Sequence, residues 1–371
     1  MAVAVIDIGK TNAKVALVGL DGTLLDERRR SNDVLPGPPY PHFDVDALWE
    51  FVLGTLAAFA PHIDAIVPVT HGACAALVTL QGTLVLPILD YEHDGPDETR
   101  ATYAPPPFHE TGSPPLPGGL NLGAQLHWLE MRHPDAFARA RALLLWPQWW
   151  AWRLSGAMAS EVTSLGCHTD LWAPGAGAPS SLARARGWDA LLPPLRRARE
   201  MLGPVAPEVA RATGLDPATP VHAGIHDSNA SLLPHLDAAP CGVVSTGTWI
   251  IAMAIGGTEV SLDPRRDTLV NVAADGRPVP TARFMGGRER DAAAAADEPL
   301  EEVDIRLGRR TAERLAEIGA VGPIHVEGPF ANSVPFCEEL RRATGRPVEA
   351  RGGAGTTRGA ASLAGNGDGS S

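Results

Sequence analysis

The chain opens with a run of apolar, mostly β-branched residues from Ala2 to Ile8, and this run predicts a buried strand. A short polar stretch, Gly9-Lys10-Thr11-Asn12, follows it, and a second apolar run extends from Ala13 to Leu20. Asp21-Gly22 is a strong turn signal that leads into a third strand from Thr23. The pattern therefore predicts a strand, a polar turn and a hairpin at the start of the chain.

Alternating strand and helix signals continue through the first half of the chain. Phe43 to Ala60 has helical spacing, and Ala65 to Val69 predicts a strand that ends at Thr70-His71-Gly72. Ala75 to Thr79 and Thr83 to Leu89 predict a hairpin around a Gln-Gly turn. Together these signals predict an α/β domain.

The middle of the chain adds a helical segment, a tryptophan-rich segment and another polar strand end. Leu122 to Met131 is amphipathic, and Leu143 to Leu154 carries four tryptophans that we expect to pack in a core. Val221 to Gly224 predicts a strand followed by His226-Asp227, and Ala230 to Leu236 predicts a helix of small residues.

The opening pattern returns after Cys241. Gly242 to Ser245 predicts a strand, Thr246-Gly247-Thr248 a polar turn, and Trp249 to Ile255 a second strand. A repeated strand, turn and strand predicts two related domains with a nucleotide between them. We place their boundary near 235–241, which gives domains of residues 1–236 and 237–371.

Composition excludes several classes of protein. A chain of 371 residues is long enough for two cores. The formal net charge of −12 disfavours non-specific binding to nucleic acid or to anionic membrane. The absence of a long apolar run predicts no membrane span, and four scattered cysteines without CxxC spacing predict reduced thiols in a cytoplasmic protein.

The residues Gly9-Lys10-Thr11 also look like the end of a P-loop. That motif requires a glycine five residues earlier, where this chain has Ala4, and it requires a helix after the threonine. A hairpin is predicted there instead, so a P-loop is disfavoured. An ordinary hairpin with a polar turn remains an alternative at this point.

Lysine usage draws attention to the same turn. The chain has 31 basic residues, of which only Lys10 and Lys14 are lysines. A compact ammonium is not interchangeable with a guanidinium where a phosphate must be approached closely. Lys10 is therefore predicted to contact phosphate, and Lys14 is predicted to lie on the hairpin surface.

Further motifs follow the opening turn along the chain, namely Thr70-His71-Gly72, Gly123 to Trp128, Trp149 to Gly156, Gly224-Ile225-His226-Asp227, Ser245 to Trp249, Glu327-Gly328, Ala343 to Val348 and Gly359-Ala360-Ala361. In this order, and over nearly the whole chain, these segments resemble the FGGY family of carbohydrate kinases, most closely its rhamnulokinase and fuculokinase branch. The resemblance implies an α/β fold of the actin-like (ribonuclease H-like) type, duplicated into two domains around a cleft.

The same resemblance implies roles for individual residues. The first domain would bind the sugar and the second most of the ATP, with Asp227 as the general base and Asp7 facing Mg²⁺ through water. Sugar contacts would come from Thr70, His71, Gly72 and His226. Phosphate contacts would come from Gly9, Lys10, Thr11, Asn12, Thr246, Gly247 and Thr248, and Gly328 would lie at adenosine.

Each of these residues also has a purely structural explanation. Asp227 precedes a predicted helix and is a plausible N-cap, Asp7 is a plausible turn residue, and Thr246 to Thr248 would suit a plain hairpin. His71 would serve equally well as a structural histidine. His222 and His226 invite a zinc interpretation, which we disfavour because they lie on a strand and a loop without a third ligand nearby.

The sequence also departs from the family. Glu327-Gly328-Pro329 stands where three glycines are usual, Pro329 has no N–H, and the second domain is short. The leading hypothesis is an ATP- and Mg²⁺-dependent kinase that phosphorylates a ketose such as L-rhamnulose or L-fuculose at its primary hydroxyl. The alternatives are a sugar- or nucleotide-binding paralogue with weakened catalysis, and an actin-like ATPase with a protein partner; homodimerisation is left open.

Overall fold

The computed structural model describes residues 2–351 and 355–365. Contacts divide these residues into two units. Unit 1 comprises the described residues up to Ala230, Val272–Arg277 and the described residues from Thr356 onward. Unit 2 comprises the described residues within Ser231–Asn271 and Pro278–Gly355.

Unit 1 is built on a seven-stranded mixed sheet, with smaller two-stranded sheets beside it. Its strands are β1 (Ala2–Ile8), β2 (Asn12–Gly19), β3 (Leu24–Ser31), β4 (Val34–Leu35), β5 (His42–Phe43), β6 (Ala65–Thr70), β7 (Ala75–Val78), β8 (Ala142–Leu145), β9 (Ser160–Glu161), β10 (Trp172–Ala173), β11 (Ala178–Pro179), β12 (Leu195–Arg196), β13 (Met201–Pro204), β14 (Pro220–His222) and β15 (Ile225–His226). The large sheet has the order β13-β14-β6-β1-β2-β3, and β15 also pairs with β6.

Nine α-helices accompany these strands among the described residues of the first 230 positions. They are α1 (Val45–Phe59), α2 (Phe108–Thr111), α3 (Leu122–Arg132), α4 (Pro134–Phe137), α5 (Trp146–Ser155), α6 (Val162–Leu165), α7 (Ser181–Arg186), α8 (Pro207–Thr213) and α9 (Asp227–Ala230). Helix α1 begins where the Asp44 carboxylate accepts a hydrogen bond from the Ala47 amide. Its Leu48, Val52 and Leu56 are spaced along one face and are buried, so the helical period predicted from the sequence is confirmed.

The core of unit 1 contains the tryptophan cluster. Trp146, Trp149 and Trp150 on α5 are almost fully buried, and their rings lie 4.8 to 5.4 Å apart. Burying so much aromatic surface stabilises the unit strongly. The prediction that these tryptophans serve core packing is confirmed for these three, and Trp152 is partly buried against the same core.

Unit 2 repeats the plan of unit 1 in a six-stranded sheet. Its strands are β16 (Cys241–Thr246), β17 (Ile250–Ile255), β18 (Thr268–Val272), β19 (Pro278–Phe284), β20 (Ile324–Glu327) and β21 (Val348–Arg351), in the order β18-β19-β17-β16-β20-β21. Its helices are α10 (Gly286–Ala295), α11 (Leu300–Glu317) and α12 (Val334–Thr344), and α13 (Gly355–Ser362) follows β21 along the chain.

The two sheets share a topology. In unit 1, β1 pairs antiparallel with β2 and parallel with β6; in unit 2, β16 pairs antiparallel with β17 and parallel with β20. The predicted duplication of an α/β domain is therefore confirmed. Because β2 rather than a helix follows Gly9 to Asn12, the P-loop alternative is wrong.

Two sequence predictions about secondary structure are wrong in detail. Strand β7 pairs with β8, and the segment after it forms no regular strand: it pairs with β7 through the bridge from Val78 to Leu84 and hydrogen bonds at Thr79–Thr83 and Leu77–Val85. The continuous helix expected over Ala230 to Leu236 is divided into α9 and a 3₁₀ helix, Leu233–Ala238. Pro234 explains the division, because it has no N–H to continue an α-helix.

The predicted boundary between residues 236 and 237 lies close to the start of unit 2 at Ser231, and it stays a prediction. Positions 352–354 and 366–371 of the second predicted domain lie outside the described residues. Among the residues described, none of the helices combines the length and apolar character needed to span a bilayer.

Candidate active site

Polar side chains follow three neighbouring parallel strands of the unit 1 sheet. The register pairs Ile8 of β1 with Thr70 of β6, and Thr70 with His226 of β15. Because parallel strands present their carboxyl ends at the same edge of a sheet, Asp7 and Asp227 are brought to that edge too. Crevices at such edges are the usual ligand sites of α/β sheets.

The turn between β1 and β2 is closed by its own backbone. The Gly9 amide donates to the Asn12 carbonyl at 2.9 Å, and Thr11 and Asn12 are exposed. Asn32, which the sequence analysis did not select, braces the turn: its amide side chain donates to the Gly9 carbonyl at 2.7 Å, and its backbone N–H donates to Thr11. The turn is thus held in one conformation before any ligand binds.

Lys10 points from this turn towards a segment far away in sequence. Its Nζ lies 2.5 Å from Asp90 Oδ1 and 3.5 Å from the Glu92 carboxylate. The same Nζ lies 5.2 Å from the ring centroid of Phe43 and 5.4 Å from that of Tyr91. In this structure, therefore, Lys10 contacts carboxylates and aromatic rings, and its assignment to phosphate stays a prediction.

Asp7 is held by the other lysine of the hairpin. Lys14 Nζ lies 3.1 Å from Asp7 Oδ2 and donates to Thr357 Oγ1 at 2.8 Å. The prediction that Lys14 is a surface residue is wrong, because a side chain on β2 that points towards Asp7 finds a partner more than 300 positions later in α13. Burial raises the pKa of Asp7 above its ordinary value and Asp227 adds to this, whereas Lys14 opposes it.

Asp7 fits contact with a hydrated Mg²⁺. In the parts of the chain that the structure describes, no three acidic, histidine or cysteine side chains converge as a metal site. Mg²⁺ keeps several waters and is bound mainly by phosphates with one or two carboxylates, so a single half-buried Asp7 is compatible with water-mediated contact.

His71 carries a buried nitrogen that has no partner. Its Nδ1 lies 2.8 Å from the Gly72 carbonyl, which can only accept, so Nδ1 is the protonated nitrogen and Nε2 is left as an acceptor. Nε2 is buried without a hydrogen-bond partner among the described residues. Burial lowers the pKa of His71 to about 4, so the ring is neutral. A neutral, buried acceptor needs a donor such as a ligand hydroxyl.

The surroundings of His71 are aromatic on one side and backbone on the other. Its ring lies 5.5 Å from that of Phe43 and 5.3 Å from that of Tyr91. The Thr70 hydroxyl donates a hydrogen bond to the His71 carbonyl at 2.8 Å, so its proton is already used within the protein. Gly72 has no side chain where a Cβ would lie 3.0 Å from His226 Nε2, so larger residues would press on His226.

Asp227 begins α9, and several polar groups lie close to its Oδ1 atom. Asp227 Oδ1 accepts from the Ser228 amide at 2.5 Å and from the Ser228 hydroxyl at 3.3 Å. His226 Nε2 lies 3.3 Å from the same oxygen. The side chain of Asp227 is 34% exposed, so a carboxylate at the carboxyl edge of the sheet meets solvent.

The Thr246 hydroxyl connects the polar turn of unit 2 to the segment after β20 by hydrogen bonds. This hydroxyl donates to the Glu327 carbonyl and accepts from the Phe330 amide at 3.1 Å, so it ties the end of β16 to the turn after β20. Gly247 and Thr248 are exposed, and the Gly247 amide is used within the turn. Any contact to phosphate from this turn would thus come from Gly247 and Thr248 rather than from the Thr246 hydroxyl.

Gly328 is required where it stands. Its φ is +85°, and a Cβ there would lie 2.0 Å from the Thr246 carbonyl oxygen. A cavity of ≈ 430 Å³ within unit 2 begins beside this turn and is lined by Pro329, Phe330, Asn332, Ser333, Val334, Pro335, Arg290 and Asp304. Of these lining residues, the sequence analysis named only Pro329; those from Phe330 to Pro335 could have been found from their position directly after Glu327-Gly328.

Comparison with known families identifies both halves of the chain. Residues 119–234 match the model of the FGGY family of carbohydrate kinases, N-terminal domain, and residues 238–307 match that of carbohydrate kinase FGGY, C-terminal domain. A solved carbohydrate kinase from Novosphingobium aromaticivorans is 37% identical, with a TM-score of 0.88 over 98% of this chain and 91% of that one.

Two further relatives are more distant. The L-fuculokinase of Salmonella typhi is 24% identical over 272 residues, which is 69% of this chain and 57% of the relative's own length. This chain thus spans little more than half of that curated relative. A solved xylulose kinase from Rhodospirillum rubrum shares the fold at 18% identity, with a TM-score of 0.79 over 98% of this chain and 90% of that one.

Proposed function

The chain belongs to the FGGY family of carbohydrate kinases, and we propose that it transfers the γ-phosphate of ATP to a ketose at a primary hydroxyl. Because relatives of this chain are named L-fuculokinase, we propose L-fuculose as the first substrate to test, and the related L-rhamnulose next.

The unpartnered Nε2 of His71 carries this proposal. An uncharged sugar offers hydroxyl groups, and a hydroxyl can donate to Nε2 while its oxygen accepts from a neighbour. The charged pair of Lys10 and Asp90 lies beside the rings of Phe43 and Tyr91, and an ammonium donor and a carboxylate acceptor can both hydrogen-bond to the hydroxyl groups of a sugar. Buried aromatic rings then cover the apolar faces of the ligand.

Asp227 is assigned to proton removal. Phosphoryl transfer needs positioning and charge neutralisation more than covalent help from the protein. The sugar oxygen attacks the γ-phosphorus, the bond from phosphorus to the ADP oxygen breaks, and the hydroxyl proton moves to the Asp227 carboxylate. Because Asp227 Oδ1 already accepts a hydrogen bond from the Ser228 amide, the carboxylate is held in place while it accepts that proton.

The nucleoside of ATP is assigned to unit 2, and the turn Gly9 to Asn12 is proposed separately to contact phosphate. Gly247 and Thr248 form an exposed turn suited to phosphate oxygens, and the cavity beside Gly328 suits the nucleoside. Mg²⁺ bound to ATP would meet Asp7 through water and would neutralise charge on the phosphates.

A binding protein without efficient catalysis is the second candidate. Pro329 cannot donate a backbone hydrogen bond after Gly328, and the Glu327 carboxylate is paired with His235 Nε2 at 2.9 Å. Both features stand where the family usually has glycines, so they favour altered nucleotide binding.

Sugar-dependent release of ADP distinguishes the two candidates. The purified protein is mixed with ATP and Mg²⁺ and given L-fuculose, L-rhamnulose, pentuloses, other hexuloses and polyols in turn. The kinase proposal predicts ADP release above the sugar-free rate for at least one ketose. Sugar binding by calorimetry without any ADP release across the whole panel would favour the binding protein.

A further inference from the structure

A buried cysteine lies directly behind the candidate base. Cys167 Sγ lies 3.4 Å from His226 Nε2, and that nitrogen lies 3.3 Å from Asp227 Oδ1. The other ring nitrogen, His226 Nδ1, lies 3.2 Å from Asn229 Oδ1. A thiol, an imidazole and an amide oxygen therefore form a continuous chain that ends beside Asp227.

The orientation of Asn229 fixes the proton on His226. Asn229 Nδ2 donates to the Val272 carbonyl, which leaves Oδ1 to accept from His226 Nδ1–H. His226 Nε2 therefore faces Cys167 and Asp227. A cysteine beside an imidazole whose other nitrogen is held by an amide is the arrangement that activates thiols.

The electrostatics of the cluster favour a thiolate beside an imidazolium. Burial alone would raise the pKa of Cys167, but His168 and His226 more than offset this and lower it to about 5. Burial alone would lower the pKa of His226, but Cys167 and Asp227 raise it to about 10. Glu161 and His71 also interact with His226: burial raises the pKa of Glu161 to about 7 and lowers the pKa of His71 to about 4.

The thiol pKa values of the remaining three cysteines differ from that of Cys167. Burial raises the pKa of Cys74, Cys241 and Cys337, so these thiols stay protonated. All four cysteines are free and buried. Burial alone therefore does not separate Cys167 from the others, whereas its histidine neighbours do.

We propose that Cys167 is a site of oxidation by peroxides, and that its oxidation disables the neighbouring Asp227. Asp227 is 34% exposed and His226 Nε2 contacts both groups, so the cluster reaches solvent through the candidate active site. Hydrogen peroxide is little larger than water and can follow the path that a sugar hydroxyl would take. Gly72 packs next to Cys167 without a side chain between them, and a Cβ there would lie 3.2 Å from Cys167 Sγ.

The oxidation balances without any further reactant. The Cys167 thiolate attacks one oxygen of hydrogen peroxide, a sulfur–oxygen bond forms and the oxygen–oxygen bond breaks. The departing hydroxide takes the Nε2 proton of His226 and leaves as water. Sulfur loses two electrons to the peroxide, and Cys167 becomes a sulfenic acid beside a neutral His226.

Loss of the charged pair changes the surroundings of Asp227. The neutral His226 no longer offers an Nε2 proton to Asp227 Oδ1, and the added oxygen atom crowds the space beside Gly72. A kinase activity that uses Asp227 should fall at least about tenfold and should return on reduction with dithiothreitol. This consequence for activity rests on the proposed function, whereas the oxidation itself does not.

The experiment follows the modification itself. The full-length protein is exposed to hydrogen peroxide at pH 6 with dimedone, which traps sulfenic acids, and peptides are analysed by mass spectrometry. We expect the dimedone adduct on the Cys167 peptide to form at least about tenfold faster than on those of Cys74, Cys241 and Cys337, because only thiolates react. Labelling of Cys167 no faster than the other three would overturn the proposal.

Two variants separate the cause from the consequence. His226→Gln should slow labelling of Cys167 at pH 6 by about tenfold, and an unchanged rate would contradict the imidazolium's role. Cys167→Ser also lacks the charged pair, so its activity should be lowered as it is in the oxidised protein, and the activity that remains should be insensitive to peroxide. A variant whose remaining activity is still lost on exposure to peroxide would contradict the link to Asp227. Rapid labelling of Cys167 in a protein that phosphorylates no sugar would support the oxidation site and contradict the proposed function.

Discussion

His71→Phe should weaken sugar binding while it makes the protein more resistant to acid. Phenylalanine keeps an aromatic ring between Phe43, Tyr91 and Trp146, but it has no acceptor to replace Nε2 and no donor for the Gly72 carbonyl. A purely structural histidine would show a different pattern, because its loss would lower stability and leave the affinity for sugar unaffected.

The loss of affinity follows from a hydroxyl left without its acceptor. A buried hydroxyl that loses its partner costs about 1–3 kcal/mol, which corresponds to about a 5- to 150-fold rise in the KM for sugar. The KM for ATP should change little, because His71 is not among the residues assigned to the nucleotide.

The gain in acid resistance follows from the pKa of His71. The folded value is about 4 and the ordinary value is 6.5, so between these values the unfolded chain binds a proton that the folded protein does not. The free energy of unfolding therefore falls as the pH falls through this window. The shift corresponds to roughly 3 kcal/mol, and His71→Phe should lose this part of the pH dependence.

Steady-state kinetics and urea unfolding at pH 7 and pH 4.5 measure the two effects. His222→Gln is a matched control, since burial also lowers the pKa of His222 and its Nδ1 lies 2.7 Å from the Arg199 carbonyl. We expect this control to keep the KM for sugar. An unchanged KM for sugar in His71→Phe would refute the assignment of Nε2 to the substrate.

Three further substitutions test individual assignments. Asp227→Asn should lower kcat by roughly 10²–10⁴ with little change in stability, since asparagine caps a helix about as well, and full activity would refute the general base. Lys10→Arg should raise the KM for sugar more than that for ATP, because a guanidinium is too large for the contact with Asp90 beside the rings of Phe43 and Tyr91. A KM for sugar equal to that of the unmodified protein would argue against this contact. Thr246→Val should raise the KM for ATP and lower stability by about 1–3 kcal/mol, whereas Thr246→Ser should retain both, and an unaffected valine variant would mean that the link to Glu327 and Phe330 is dispensable.

Local patterns predicted the strands and turns of both units well. Ala2 to Ile8 and Gly242 to Ser245 are short apolar runs, and each is followed by a polar turn and another strand, so their pairing needed no distant information. Helix α1 was equally visible in its spacing. Pro234 shows where local reasoning overlooked a known signal, because proline should have ended the helix predicted across it.

Partners far apart in sequence were beyond such reasoning. Lys10 meets Asp90 after 80 residues, and Lys14 meets Thr357 after 343. Neither contact leaves a periodic signal in the sequence. The prediction that Lys14 lies on the surface was wrong for this reason. Cys167 likewise had no motif, since its reactivity depends on His226, which is 59 residues away.

The position of the transferred phosphate tests the central claim most directly. The protein is incubated with ATP, Mg²⁺ and the ketose that best stimulates ADP release, and the products are followed by phosphorus NMR. We predict a new phosphate ester that couples to the two protons of the ketose's primary carbon and forms in equal amount to ADP. Release of inorganic phosphate in place of that ester would contradict the assignment of this chain as a sugar kinase.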